Sequence, residues 1–360
     1  MKELYFLVKW DRHNKEKTWS GASWGLFCAL HKHYDVHEVS LEYTPSIFTK
    51  LYRRLLGMYL WIDEIMHCRK HLSSLTPSTK KSVIFQFAEI LSDTNFRKTY
   101  IFIDCSASYI HYMRRYLPEI FIYSDFQDNS GYCIQKRKEM QEEYFNQCAG
   151  IFTMGKWLAQ DISSRCNISP FKIHPVGGGI NVDATLIDDS QKQGNKILFI
   201  GRSFKRKGGY LVLSAFNELR KKYPEIELYV AGPKENPVSS ELAGYHYMGD
   251  CKKQDVVSLL NKCDIFCMPS YFEAYGLVFI EALTFGLPVI GRNAFEMPYI
   301  IENGKSGLLL QEDSYSELAI LIERLLTDKR FKEYVREKRQ YYLSEYSWDK
   351  VAERINNIIE

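Results

Sequence analysis

The chain alternates between short apolar runs and longer segments in which apolar and polar residues mix at helical spacing. The apolar runs are LYFLV (4–8), VHEVSL (36–41), SVIFQF (82–87), YIFID (100–104), IFIYS (120–124), GIFTM (150–154), KIHPV (172–176), KILFIG (196–201), IELYVAG (226–232), YHYMG (245–249), DIFCMP (264–269), PVIG (288–291) and GLLL (307–310). Nearly continuous apolar strands that alternate with helices indicate parallel sheets covered on both faces. Because the alternation occurs twice, we predict an α/β protein with two doubly wound domains.

The two halves are separated by the segment GGGINVDATLIDDSQKQGN, residues 177–195. This segment is rich in Gly, Asp and Gln and poor in apolar residues, which is typical of a linker. We therefore predict an N-terminal domain over residues 1–176 and a C-terminal domain that begins at residue 177. The glycines at 177–179 could form a hinge or a close-approach loop, and a plain connector fits their spacing equally well.

Composition and charge exclude some classes of function. The chain has 360 residues, a net charge of only +3 and nine cysteines, and its near-neutral balance disfavours a nucleic-acid binder. No apolar run is long enough to span a membrane, and MKELYFLVKW has too short an apolar core for a signal peptide. Without a CxxC pair or a DxD beside a strand end, we expect no metal site and no required cofactor. These features predict a cytoplasmic protein.

The stretch GRSFKRKGG, residues 201–209, follows the strand KILFI and precedes a predicted helix. Gly201 lets the backbone of a ligand or loop come close to the strand end, and Arg202, Lys205, Arg206 and Lys207 place four cations on the loop. Cations beside the amides of a helix N-terminus favour an anion, with phosphate as the best match. The alternative is a solvated turn that binds nothing.

The stretch YFEAYGLVFIEALTFG, residues 271–286, carries Glu273 and Glu281 in otherwise apolar and aromatic surroundings. Glu273 falls in the loop after the strand DIFCMPS, Gly276 allows a tight turn, and Glu281 lies about one turn into the next helix. Carboxylates accept hydrogen bonds from vicinal hydroxyls such as those of a sugar or a ribose. The alternative makes Glu281 a surface residue and Glu273 a charge at a helix N-terminus.

The Glu–seven residues–Glu pattern after a strand that ends in Pro-Ser resembles the signature of family 4 retaining glycosyltransferases, which have the GT-B fold. Further stretches resemble that family in the same order: HPVGGGINVD (174–183), the Gly-Arg and Lys-Gly of the 201–208 loop, YVAG (229–232), YMGD (247–250) and YSWDKVAERI (346–355). The resemblance covers residues 150–360 strongly and the first half loosely. It implies two Rossmann-like domains that face each other across a cleft. It also implies a donor-binding domain over 177–345 and a terminal helix, 346–360, that crosses back to the acceptor-binding domain.

The resemblance also implies roles for the matched residues. Arg202 and Lys207 would neutralise the diphosphate of a nucleotide-sugar donor as it leaves, Glu273 would bind hydroxyls of the transferred sugar, and Glu281 would bind the ribose. Backbone amides would contact the sugar and the phosphates. The residues expected to bind the donor are Gly21, Gly201, Arg202, Lys207, Glu273, Ala274, Tyr275, Gly276, Leu277 and Glu281.

The first half offers weaker signals. Gly21, in the loop KTWSGASWG (17–25), resembles the family's glycine loop near the donor phosphates, and an ordinary Ser/Gly helix cap fits it as well. Ser124-Asp125 stands where many family members place His-Asp, so Asp125 joins Arg202, Lys207 and Glu273 as a candidate catalytic residue, with His111 as a possible substitute for the histidine. The basic amphipathic segment 48–61 could contact a membrane or pack on the first sheet.

These expectations amount to a retaining glycosyltransferase that moves a sugar from a nucleotide-diphosphate sugar to a hydroxyl. UDP-sugars are the favoured donors and GDP-sugars the next, and the acceptor would be a saccharide or a lipid-linked saccharide in polysaccharide biosynthesis. The alternatives are a nucleotide-sugar epimerase, a phosphorylase or a catalytically inactive binding protein. On the sequence alone, Glu281→Ala and Lys207→Ala are expected to weaken UDP or GDP binding with little change in melting temperature.

Overall fold

The computed structural model describes residues 1–11, 13–41, 46–48, 50–51, 82–87, 98–192, 194–239 and 241–359. Contacts within the chain divide it into two compact units. Unit 1 comprises Met1–Gly179 together with Trp348–Glu360, and unit 2 comprises Ile180–Ser347.

Unit 1 contains a six-stranded parallel sheet in the order β2-β1-β3-β4-β5-β6. Its strands are β1 Lys2–Val8, β2 Tyr34–Ser40, β3 Val83–Phe87, β4 Lys98–Ile103, β5 Gly150–Thr153 and β6 Ile173–Pro175. Its helices are α1 Ala22–Leu30, α2 Ala107–Tyr116, α3 Pro118–Phe121, α4 Gly131–Gln147, α5 Lys156–Arg165 and the C-terminal α13 Trp348–Asn356. Helices separate β1 from β2, β4 from β5 and β5 from β6, as the alternating sequence pattern predicts.

Unit 2 contains a second six-stranded parallel sheet, in the order β12-β11-β10-β7-β8-β9. The strands are β7 Lys196–Ile200, β8 Glu227–Ala231, β9 Tyr245–Gly249, β10 Ile265–Cys267, β11 Val289–Arg292 and β12 Gly307–Leu310. The helices are α6 Gly209–Arg220, α7 Lys253–Lys262, α8 Leu277–Thr284, α9 Met297–Ile300, α10 Tyr315–Thr327, α11 Lys329–Glu337 and α12 Arg339–Glu345. From β7 the next strands are added on one side of the sheet, and from β10 they are added on the other side. The loops after β7 and β10 therefore meet at a topological switch point, where ligands bind in such sheets.

One predicted strand is wrong. Residues 120–124 were expected to extend as IFIYS, but the structure places them in α3 and the turn that follows it. Pro118 stands at the first position of α3, where its fixed φ favours a helical turn. The Ser124 hydroxyl then donates to the carbonyl of Phe121, which satisfies the end of this turn locally. Apolar character alone did not distinguish a short buried turn from a buried strand.

The C-terminal helix α13 packs against α1 within unit 1. A Cβ at Gly25 would come within 2.3 Å of the Trp348 ring, and a Cβ at Gly179 would come within 2.5 Å of the Trp348 backbone nitrogen. Arg354 donates to the carbonyl of Val176 at 3.0 Å. Glycines at positions 25 and 179 therefore leave the space that the tryptophan occupies.

No helix among the described residues is both long and apolar enough to cross a membrane. The segment 48–61, predicted as a basic amphipathic helix, lies almost entirely outside the described residues.

Candidate functional site

Two loops of unit 2 carry most of the site residues that the sequence indicates. The loop 201–208 follows β7 and leads into α6, and the loop 268–276 follows β10 and leads into α8. Since β7 and β10 are parallel neighbours, their carboxyl ends lie side by side, and both loops leave the same edge of the sheet.

Close backbone approach joins the two loops. Gly208 has φ +76°, and a Cβ there would lie 2.5 Å from the carbonyl oxygen of Pro269. The backbone N–H of Tyr271 donates to the carbonyl of Arg206 at 2.9 Å, and the Arg206 guanidinium donates to the carbonyl of Phe272 at 3.2 Å. Any side chain at position 208 would push the loops apart, which explains why a glycine stands there.

Lys207 and Glu273 form an ion pair across the two loops. Only 13% of the lysine side chain and 9% of the glutamate side chain are exposed. The same carboxylate oxygen accepts a hydrogen bond from the buried Ser270 hydroxyl at 3.2 Å. Gly201 makes room for this arrangement, because a Cβ there would come within 2.8 Å of Lys207 Cγ. The structure thus brings together Gly201, Lys207 and Glu273.

Glu281 is buried in α8, which excludes its interpretation as a surface residue. Its Oε1 accepts a hydrogen bond from the backbone N–H of Asn181 at 3.1 Å. Burial raises the pKa of Glu281, while the hydrogen bond from Asn181 and the charge of Lys253 oppose the rise. A carboxylate held in this way has acceptor capacity left for further donors such as hydroxyl groups.

The turn before α8 supplies backbone donors. Gly276 adopts φ +93° and ψ +50° immediately before the helix, a left-handed conformation that glycine reaches without strain. A Cβ at Gly276 would come within 2.8 Å of the Phe279 ring. The N-terminus of α8, which begins at Leu277, favours an anion through its dipole. Tyr275 is buried and Ala274 is half-buried beside this turn.

Arg202 occupies a different environment from Lys207. Its side chain is 80% exposed, and its Nε lies 3.9 Å from a carboxylate oxygen of Asp250, which is itself exposed. So weak and solvated a pair leaves the guanidinium able to move towards a ligand.

The remaining candidates belong to unit 1. Gly21 has φ +99° and precedes α1, after two further residues, Trp19 and Ser20, with positive φ. Asp125 is exposed in the turn after α3. His111 is half-buried in α2, and burial together with Lys138 and Arg115 lowers its pKa. A cavity next to the Asp125 segment is lined by Ala107, Ile110, Phe126, Asn129, Cys133, Ile134 and Arg137.

One group of possible metal ligands lies elsewhere in unit 1. Among the described residues, Glu3, Asp35 and His37 place one ligand atom each within 4.8 Å of one another. They stand near the amino ends of β1 and β2, whereas ligands of such sheets bind at the carboxyl ends. Glu3 already accepts a hydrogen bond from the Ser82 hydroxyl at 2.5 Å, and Asp35 faces His37 at 3.4 Å. We assign these residues no part in the site of unit 2.

Three features of the site were missed by the sequence analysis. They are the amide of Asn181 on Glu281, the hydroxyl of Ser270 on Glu273 and the guanidinium of Arg292 beside the 268–276 loop. Asn181 and Arg292 are distant from their partners along the chain, so only the fold brings them into contact. Ser270, three residues before Glu273, could have been found from its spacing.

Comparison with known proteins places this site in a family context. Residues 187–346 match the family model of the glycosyl transferases group 1. A D-inositol 3-phosphate glycosyltransferase of Corynebacterium kroppenstedtii is 29% identical over 179 residues, which cover 46% of this chain and 40% of that protein. The chain spans less than half of the length of the first curated relatives that it matches.

Solved structures resemble the chain over nearly its whole length. Sucrose-phosphate synthase from Thermosynechococcus elongatus superposes with a TM-score of 0.73 at 14% identity, covering 99% of this chain and 98% of that one. Anabaena HepE, solved in complex with UDP-glucose, gives a TM-score of 0.65 at 12% identity with 99% of both chains covered. These likenesses confirm the predicted two-domain α/β fold, which is the GT-B fold. The family match and the named relatives support a transferase enzyme of the glycosyltransferase class.

Proposed function

We propose that this chain is a retaining glycosyltransferase that transfers a sugar from a nucleotide-diphosphate sugar to a hydroxyl group of a saccharide or lipid-linked saccharide. UDP-sugars are the favoured donors and GDP-sugars the next. That the Anabaena relative of the same fold was solved with UDP-glucose supports this order.

The observation that carries the proposal is the meeting of Lys207 and Glu273 at the switch point of unit 2. A lysine ammonium has three donors, so Lys207 could donate to a phosphate oxygen of the donor as well as to Glu273. The paired carboxylate keeps acceptor capacity for sugar hydroxyls. One ion pair would thereby contact both the leaving group and the transferred sugar, and Glu281 in the adjacent helix would hold the ribose.

Arg202 would supply part of the positive charge that neutralises the diphosphate. Within the pair, the charge of Glu273 offsets that of Lys207, whereas the diphosphate of the donor carries about two negative charges. Arg202, exposed and weakly paired, would therefore turn from Asp250 to the diphosphate. The amides of Ala274–Leu277 would supply further positive potential without a net charge.

The chemical step would depend on stabilising the departing diphosphate. Lys207 and Arg202 would interact more strongly with the leaving anion than with the intact donor, which lowers the barrier. Each charge-assisted hydrogen bond contributes roughly 1.5–3 kcal/mol. In a front-face reaction with retention, the leaving phosphate would itself accept the proton of the attacking hydroxyl. Such a reaction has no need of a histidine at the position before Asp125. Unit 1, with Asp125 and the Gly21 loop, would bind the acceptor.

The proposal is tested by incubating the purified chain with a panel of UDP-, GDP- and ADP-sugars in the absence of an acceptor. We expect slow hydrolysis of at least one UDP-sugar or GDP-sugar, because water can replace the missing hydroxyl. Proton NMR of the fresh product should show the anomeric configuration of the donor. Hydrolysis should proceed in the presence of a chelator, since no metal is required.

The alternatives give different products in the same assay. A phosphorylase would need inorganic phosphate and release a sugar phosphate, and an epimerase would release free nucleotide together with a sugar of altered ring stereochemistry. A binding protein would retain nucleotide affinity without turnover. Failure to bind or turn over any nucleotide sugar in the panel would contradict the proposal.

A further inference from the structure

Arg292, the last residue of β11, contacts the loop that carries Glu273. Its Nη2 donates to the Pro269 carbonyl at 3.4 Å and to Oδ1 of Asp313 at 2.9 Å, and its guanidinium carbon lies 4.4 Å from the centre of the Tyr271 ring. Only 15% of the side chain is exposed. Because β10, β11 and β12 are parallel neighbours, the residues that follow them meet at one edge of the sheet.

Tyr271 and Asp313 complete a closed arrangement around this arginine. The Tyr271 hydroxyl donates to Oδ2 of Asp313 at 3.1 Å, while Oδ1 of the same carboxylate accepts from Arg292. Arginine thus pairs with aspartate, aspartate with tyrosine, and tyrosine stacks on arginine. We call Arg292, Tyr271 and Asp313 the arginine brace. A lysine could not reproduce it, since stacking and simultaneous donation to two acceptors require the planar guanidinium.

The arginine brace holds the residues on both sides of Ser270, because Arg292 donates to the carbonyl of Pro269 and Tyr271 is a member of the brace. Pro269 and Tyr271 flank this serine, and the serine hydroxyl donates to the carboxylate of Glu273. The Tyr271 backbone also donates to the carbonyl of Arg206, the residue before Lys207. The brace therefore acts mainly on Glu273, because Lys207 is also held within its own loop, where its backbone N–H donates to the carbonyl of Ser203 at 3.0 Å. Glu281 is held differently, through α8 and the amide of Asn181.

We propose that Arg292 is a positioning residue that acts through Glu273 on recognition and transfer of the donor sugar, and not on binding of the nucleotide. This inference rests on the proposed function of the site. It implies that the brace positions Glu273, which would contact the transferred sugar, and that α8 positions Glu281, which would contact the ribose. Loss of the brace should therefore lower the rate with a nucleotide sugar while affinity for the free nucleotide stays within about twofold.

The first test makes no use of activity. Amide hydrogen exchange is compared between the ligand-free full chain and its Arg292→Lys variant. We expect the segment 269–276 to exchange about tenfold faster in the variant, which corresponds to about 1.4 kcal/mol. Exchange in β8, Glu227–Ala231, should stay unchanged. Equal exchange of 269–276 in both proteins would overturn the proposal whether or not the chain is a glycosyltransferase.

The second test is a double-mutant cycle on donor hydrolysis with Arg292→Lys, Glu273→Gln and the double variant. Arg292→Lys alone should lower kcat about tenfold, and it should add less than about twofold in the Glu273→Gln background, because its effect passes through that carboxylate. Additive losses would show that Arg292 contacts the donor itself, or acts through the whole fold, and would overturn the positioning role. If the wild-type chain neither binds nor hydrolyses any donor, the proposed function fails, and the exchange result still decides on the brace.

Two further variants separate positioning from folding. Tyr271→Phe keeps the stacked ring and removes only the hydroxyl that reaches Asp313, so it should fold normally and lower kcat by a smaller factor than Arg292→Lys, with the same non-additivity towards Glu273→Gln. Arg330→Lys is the matched control, since Arg330 is 84% exposed in unit 2 and pairs only with Asp328 among the described residues. It should change neither kcat nor loop exchange. A loss of kcat in Arg330→Lys equal to that in Arg292→Lys would count against the proposal.

Discussion

Replacing Lys207 by alanine is expected to lower the rate of donor turnover by about 10²–10³-fold, the usual cost of removing one group that stabilises developing charge. The sequence alone suggested that this variant would melt normally. The structure changes that expectation, because Lys207→Ala leaves Glu273 without its cation in a site where 9% of the carboxylate side chain is exposed. An uncompensated charge of this kind costs up to about 3 kcal/mol of unfolding free energy. Turnover of a UDP-sugar and chemical denaturation measure the two effects.

A charge-balanced variant separates these two effects of Lys207. Lys207→Ala combined with Glu273→Gln removes the uncompensated carboxylate, so we expect the double variant to regain most of the lost stability and to remain inactive. Lys221→Ala is the control, since Lys221 also pairs with a glutamate of unit 2 but is 74% exposed, and such pairs contribute about 0–1 kcal/mol. Recovery of full turnover in the double variant would mean that Lys207 acts only on folding.

Replacing Glu281 by glutamine is expected to weaken UDP affinity by about tenfold to a hundredfold, the loss of one charge-assisted hydrogen bond, without destabilising the protein. Glutamine keeps an oxygen that can accept from the amide of Asn181. The variant should melt at or above the wild-type temperature near neutral pH, because burial raises the pKa of Glu281 and so makes its ionised form unfavourable in the folded chain. Calorimetric titration with UDP and thermal unfolding measure these changes.

The pH dependence follows from the raised pKa of Glu281. A carboxyl group with a higher pKa in the folded state contributes stability that is complete below its unfolded pKa, near 4.5, and is lost as the pH rises through the folded value. The stability advantage of Glu281→Gln should therefore grow as the pH is raised from about 4.5. UDP affinity of the wild type should rise over the same range, as the carboxylate forms. Glu337→Gln, at an exposed site of unit 2, is the control, and an equal pH response in both variants would contradict the assignment.

Local motifs of the proposed donor site were predictable because they are contiguous. The residues at 201–208 and 271–281 each follow a strand, and parallel topology brings the loops after neighbouring strands to one edge. The sequence therefore indicated Lys207 and Glu273 as members of one site, although it could not show that they pair with each other. Their pairing depends on Gly208, whose missing Cβ lets the loops come within contact distance at Pro269.

Other features could not be predicted from the sequence, for identifiable physical reasons. Arg292 lies at the end of an ordinary apolar strand, and nothing near it in the chain indicates that its neighbours will be Tyr271 and Asp313. The buried carboxylate of Glu281 accepts a hydrogen bond from Asn181, which lies a hundred positions earlier in the chain. The segment 120–124 was apolar enough for a strand, but Pro118 favours a helical turn because it stands at the first position of α3. The roles of Gly21 and Asp125 in unit 1 stay predictions, as does binding of an acceptor there.

The loops 201–208 and 268–276 of unit 2, together with α8, are proposed to hold a nucleotide diphosphate. A crystal structure of the full chain with UDP would locate the nucleotide. We expect a phosphate oxygen within hydrogen-bond distance of Lys207 Nζ, about 2.7–3.2 Å, and the ribose hydroxyls at the carboxylate of Glu281. UDP bound elsewhere on the chain, or bound at these loops with Lys207 and Glu281 both out of contact, would contradict this proposal.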